Sequence, residues 1–221
     1  AFPTETRIDD NGNYDPDGHL GFLQSDKDWS KTTPRVVLEW QAVEDVMFYA
    51  SYSEGYKAGG FNSAGELFAP PFDPEEVTNY ELGMKSELWD NRVRLNASLY
   101  YMEWSDLQLE SFRLLTPGDL SSNFEQTINI KDAEAWGSEV EMVAAITDNI
   151  TFTAAAGYMN TEITSNDTAE ITGGFNVDLN GLDLAKAPEW TYNASLQYRL
   201  PIGNNEAWVQ LEYVHRDEQY G

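Results

Sequence analysis

Between residues 35 and 216, apolar and polar side chains alternate in eight separate stretches. In "WTYNASLQYRL", 190–200, Trp190, Tyr192, Ala194, Leu196, Tyr198 and Leu200 alternate with Thr191, Asn193, Ser195, Gln197 and Arg199. In "RVRLNASLYY", 92–101, Val93, Leu95, Ala97, Leu99 and Tyr101 alternate with Arg92, Arg94, Asn96 and Ser98. A side-chain period of two sends such sets to opposite faces of a sheet. The pattern predicts strands over 35–42, 46–56, 77–89, 92–104, 136–146, 150–160, 190–200 and 207–216, and little that is helical.

The connections fall into two kinds. Short ones, "VED" (43–45), "DN" (90–91), "TDN" (147–149) and "PIGNN" (201–205), join strands into hairpins. Long ones, 57–76, 105–131 and 161–187, join the hairpins and are rich in Gly, Pro, Asn, Asp and Ser. Such lengths are uncommon inside compact domains. In an up-and-down sheet, strict alternation gathers the long loops at one end and the tight turns at the other, the layout of a membrane β-barrel. A soluble Greek-key sandwich, the alternative for a two-faced sheet, has no reason to sort its loops this way. Ten residues at about 3.3 Å each, tilted near 45°, rise roughly 24 Å, close to the apolar band of such barrels. Trp89, Tyr100, Tyr101, Trp104, Trp136 and Trp190 lie toward strand ends, where interfacial aromatic girdles are expected. The apolar side of 92–101 is therefore expected to face lipid.

Composition narrows the picture. Thirteen basic against 38 acidic residues give a formal charge of −25, which opposes nucleic-acid binding. Aromatics at 13% speak against wholesale disorder. The absence of cysteine excludes disulfides and thiolate chemistry, and no apolar run is long enough for a membrane-spanning helix.

Residues 50–62, "ASYSEGYKAGGFN", 74–108, "PEEVTNYELGMKSELWDNRVRLNASLYYMEWSDLQ", 133–142, "AEAWGSEVEM", and 186–201, "KAPEWTYNASLQYRLP", resemble the C-terminal half of TonB-dependent outer-membrane receptors. The resemblance covers roughly 33–217 and marks barrel strands and turns rather than a ligand site. It implies an all-β, antiparallel up-and-down transmembrane β-barrel, of which these eight strands are part of a barrel of about 22. It also implies an N-terminal plug, absent from this chain, so the sequence is expected to be a fragment. Residues 1–34 are expected to be an external loop and strand lead-in, and 35–217 the partial barrel domain.

The implied function is import of a scarce ligand, a ferric siderophore being the family's commonest type, across the outer membrane of a Gram-negative bacterium. The implied partners are the TonB complex, reached through the plug, outer-membrane lipid and a small-molecule ligand. A non-transporting structural or adhesion barrel and a soluble acidic ligand-binding sheet protein remain as alternatives.

Inward-pointing Lys85, Glu87, Arg92, Arg94, Glu139, Glu141 and Arg199 are expected to line the lumen, pairing across strands or meeting the plug. Tyr56, Phe61, Phe68, Phe72, Phe112 and Phe124 in or beside the long loops are candidates to contact ligand in an external vestibule. "NYDPDGHLGFLQ", 13–24, echoes a calcium loop through Asn13, Asp15, Asp17 and Gly18. Its twelfth position is Gln24 rather than a bidentate Glu, which favours an ordinary acidic loop. His19 and His215 share no metal-ligand spacing, and no nucleophile motif or phosphate-cradling loop is present. Neither enzyme chemistry nor a cofactor is expected.

Overall fold

The computed structural model describes residues 27–62, 71–114, 119, 121, 123–165, 168–171 and 175–219. The proposed calcium-loop residues Asn13, Asp15 and Asp17, and Phe68, lie outside them. Among the described residues ten strands form: β1 (Arg35–Val43), β2 (Val46–Lys57), β3 (Glu75–Leu88), β4 (Val93–Leu114), β5 (Asn123–Ala145), β6 (Ile150–Ile163), β7 (Thr168–Ile171), β8 (Phe175–Asp178), β9 (Trp190–Ile202) and β10 (Asn205–Arg216). Eight of them make one antiparallel sheet in the order β1-β2-β3-β4-β5-β6-β9-β10, each strand beside its neighbour in sequence once the small β7–β8 hairpin is set aside.

Register converts the alternation into two continuous faces, because directly opposed residues share a face. On one, Phe48, Met84, Ala97, Val140, Ala156 and Tyr192 stand in a single row. Large apolar side chains on this face are open to the surroundings: Leu38 is 70% exposed and Leu211 71%. An apolar surface running across eight strands is not one that water wets at low cost. On the other face the matching row is Tyr49, Gly83, Ser98, Glu139, Gly157 and Thr191.

The apolar face has a defined upper limit. Tyr52, Tyr80, Tyr101 and Trp136 lie opposite one another on β2 to β5, and Tyr158 and Trp190 continue the line one row lower on β6 and β9. Ring centroids are 5.5 Å apart for Tyr52–Tyr80, 5.4 Å for Trp136–Tyr158 and 4.9 Å for Tyr158–Trp190. One row above, Glu54, Thr78, Glu103, Glu134 and Glu162 face one another across the strands. Carboxylates are costly in hydrocarbon even where a phenol donates to them, as Tyr52 does to Glu54 and Tyr101 to Glu134, so the apolar band ends between these two rows. At the lower end come the tight turns, with Trp89, Asp90 and Asn91 all left-handed (φ 53°, 56° and 63°) and Gly203 at φ 61°.

Three expectations are corrected. The connection expected over 105–131 is mostly strand, since β4 and β5 run on together and pair as far as Leu114↔Asn123. Its Ser and Asp content reads as loop, but Leu107, Leu109, Ile128 and Ile130 keep the period of two. Two of the six proposed girdle residues are elsewhere. Tyr100 is on the polar face, over Gly137, where any Cβ would sit 2.5 Å from the phenol oxygen. Trp104 packs against the one buried apolar cluster among the described residues.

That cluster is at the long-loop end. Ile130 (1% exposed), Ala133, Ile163 and Leu179 form it, with Trp104, Leu107, Leu109, Ile128 and Leu184 packed around them. The alternation breaks at Asp106, whose φ is 54° and which is left out of the ladder opposite Lys131. Trp104 below it and Leu107 above it are an odd number of residues apart, yet they pack on the same cluster. A left-handed residue that re-aims a strand accounts for this.

Candidate functional site: a polar wall and the loop end above it

The polar face is an ordered array of charges. Nearest the tight turns, Arg94 donates to the Glu87 carboxylate at 2.9 Å, and these two residues are directly opposed in the ladder. Lys85, Asn96 and Glu141 form the next row. The Lys85 ammonium also lies 5.6 Å from the centroid of the Tyr49 ring, whose hydroxyl donates to Glu81. Gly83 is what admits that ring, since a Cβ there would meet it at 2.3 Å. Lys85, Glu87 and Arg94 border a depression of about 360 Å³, and Glu81, Glu139 and Glu141 one of about 300 Å³.

Six of the seven residues expected on the lumen side, Lys85, Glu87, Arg94, Glu139, Glu141 and Arg199, are thus on one polar face. Arg92 is in the tight turn instead: it is 3.7 Å from Asp148 of the adjacent turn, and its Nε donates to the Ala145 carbonyl at 3.2 Å. Its alternation with Arg94 continues one residue past the strand, so sequence pattern alone places it on the wall.

At the long-loop end the described vestibule candidates make separate contacts. Phe72 lies against Gly60, with which it exchanges two backbone hydrogen bonds of 3.0 Å. Phe61 is 5.8 Å from Trp29, centroid to centroid. Tyr56 has a buried hydroxyl without a hydrogen-bond partner. Phe112 is exposed on the projecting hairpin, and Phe124 half-buried on its other strand.

The residues that organise this end are ones the sequence pattern does not single out. Gln108 Nε2 donates to the carbonyls of Ala58 (2.9 Å) and Asp73 (3.1 Å). Asn129 Nδ2 donates to those of Asp73 and Asp106 (both 2.8 Å), and its Oδ1 accepts from the Asp73 N–H at 2.7 Å. Asn62 Oδ1 accepts from the Thr127 N–H at 2.7 Å, and its Nδ2 donates back to the Thr127 carbonyl at 3.0 Å. Lys31 reaches Glu76 at 2.6 Å, a contact that raises the lysine above its ordinary value of 10.5. Isolated amides leave no periodic trace.

Among the described residues no group of three or more His, Asp or Glu is placed to hold a metal ion. His215 stacks on Tyr192, 4.5 Å between centroids, and contacts Asp217 at 2.9 Å.

The profile of the family described as "TonB dependent receptor-like, beta-barrel" matches residues 5–221. The metal-pseudopaline receptor CntO of Pseudomonas aeruginosa is 27% identical over 136 residues, covering 61% of this chain and 17% of that protein. The ferric-pyoverdine 358 receptor of Pseudomonas putida is 26% identical over 146 residues, covering 66% and 17%. Among solved structures, the ferric yersiniabactin uptake receptor FyuA from Yersinia pestis superposes with a TM-score of 0.60 at 22% identity, over 80% of this chain and 24% of that one. The chain therefore spans about a sixth of the length of those curated relatives.

Proposed function

The chain belongs to the TonB-dependent receptor β-barrel family, and we propose that its eight-stranded sheet is a sector of the barrel wall of an outer-membrane receptor that imports a scarce metal chelate, a ferric siderophore first. The observation that carries this reading is the two-faced wall itself. An apolar face that ends in a line of aromatics just below a row of carboxylates stands back to back with a face of polar and charged side chains, Arg94 and Glu87 paired among them. Such a wall suits lipid on one side and water on the other. Two curated relatives take metal–pseudopaline and ferric pyoverdine by name, which puts chelated metal ahead of cobalamin or glycans.

In this reading ligand arrives at the long-loop end, where Phe61, Phe72, Phe112 and Phe124 are candidates to contact it. Passage along the polar wall follows rearrangement of a plug outside this chain, driven through the TonB complex. The charge of −25 disfavours a strongly anionic chelate unless basic residues elsewhere in the receptor offset it.

The test is uptake of radiolabelled iron by Gram-negative cells deleted for the intact receptor and complemented with it, across a panel of ferric siderophores. Uptake of at least one that needs both the receptor and the TonB complex supports the proposal. Unchanged uptake across the panel after deletion rejects the chelate assignment. Flanking coding sequence without a plug rejects the transport mechanism altogether.

A further inference from the structure

We propose that Asn62 and Asn129 are positioning residues that lock residues 58–62 and 71–74, the two flanks of the connection between β2 and β3, onto the projecting β4–β5 hairpin, so that flanks and hairpin move as a single arm. The hairpin needs such support. Pairing of β4 with β3 ends at Glu76↔Ser105, and pairing of β5 with β6 ends at Ala133↔Ile163. Beyond those points Leu107–Leu114 and Asn123–Ile130 are paired as strands only with each other among the described residues, a two-stranded ribbon that is marginal by itself.

One face of the ribbon is covered by the cluster around Ile130. The opposite face carries Gln108 and Asn129, directly opposed in register, and it is gripped by both flanks. Asn129 binds the N–H and the carbonyl of Asp73 together, while Gln108 ties the same carbonyl to Ala58 on the other flank. Asn62, only 8% exposed, binds both backbone groups of Thr127 and so supplies the rung a further strand would make. A primary amide can do this because, like a peptide group, it carries both donor and acceptor. The flanks are closed on each other by the Gly60–Phe72 pair, so each flank is held to the hairpin and to the other flank. That this arm serves ligand capture rests on the function proposed above; the lock itself does not.

Hydrogen–deuterium exchange of the full-length receptor in lipid nanodiscs tests the lock without any ligand. The amides of Gly60, Phe72, Asp73 and Thr127 are all hydrogen-bonded in this arrangement. Asn129→Leu and Asn62→Leu should each accelerate exchange at Gly60 and Phe72 roughly tenfold, the loss of one to two net hydrogen bonds. The amides of Val140–Ala144, in the barrel wall, should not change. Acceleration at both flanks from either variant supports one coupled arm. Acceleration only at the flank whose own bond is removed (Asp73 for Asn129→Leu, residues 58–62 for Asn62→Leu), no acceleration, or equal acceleration in the wall overturns it. Gln108→Met should behave as Asn129→Leu does and serves if either asparagine variant fails to assemble. Failure of iron uptake with these protection patterns intact would count against the proposed function and leave the lock standing.

Discussion

Ala154 and Ala155 are adjacent on β6, identical in residue type and at the same depth, yet they belong to opposite faces. Ala154 is opposed by Met142 and Ala194, whereas Ala155 is opposed by Glu141 and Asn193. Ala154 is four residues from Tyr158 of the aromatic line and four from the first residue of the strand. Four residues at about 3.4 Å, tilted near 40°, descend roughly 10 Å, near the middle of an apolar band about 25 Å tall. Arginine on the lipid side at that depth costs about 2–4 kcal/mol, while toward a wet interior the penalty disappears. Ala155→Arg also gains Glu141 across the strand, so it should stay within about 1 kcal/mol of the parent protein. Strand propensity cancels in the comparison because both changes are Ala to Arg. The assay is urea-dependent refolding of the full-length receptor into lipid vesicles. Ala154→Arg should weaken the folded state at least about fivefold relative to Ala155→Arg, the equivalent of about 1 kcal/mol. Equal costs, or a larger cost at Ala155, would refute the assignment of faces.

Three further outcomes follow from particular contacts. Gly137→Ala places a Cβ 2.2 Å from the backbone oxygen of Tyr158, which cannot swing aside as a ring can, and should destabilise the wall by about 1–3 kcal/mol in the same titration. Ile130→Ala removes the largest fully buried side chain of the loop-end cluster and should cost about 2–5 kcal/mol, read as proteolytic sensitivity of the projecting hairpin with the membrane strands still protected. Lys31 is raised in the folded state by its hydrogen bond to Glu76, so its contribution is complete below pH 10.5 and lost as pH rises through the higher folded value. The protection of the Glu76 and Glu54 amides, taken relative to the unstructured rate at each pH, should fall only above that range, and Lys31→Met should abolish the step.

How much of this the chain discloses depends on which force wrote each part. Where lipid faces one side and water the other, every second residue is constrained. Strands such as Trp190–Ile202 and Ile150–Ile163 are legible to within a few residues for that reason. The period of two does not distinguish a girdle residue from its neighbour on the opposite face, which is why Tyr100 and Trp104 read as interfacial. Above the aromatic line the constraint relaxes, and the extension of β4 and β5 is hidden under Ser, Asp and Asn that look like loop. The grip of Asn62, Gln108 and Asn129 joins residues up to 65 positions apart through single amides. Nothing local in the sequence encodes those contacts.

The central question is which face of the sheet meets lipid. Single spin labels placed in turn at 151 through 156 of the full-length receptor in bilayers report it directly, through collision with oxygen, which concentrates in lipid, and with a polar nickel chelate, which stays in water. Labels at 152, 154 and 156 should favour oxygen and those at 151, 153 and 155 the nickel chelate, in strict alternation. A uniform response along the strand, or the same alternation with its phase reversed, would contradict the wall described here.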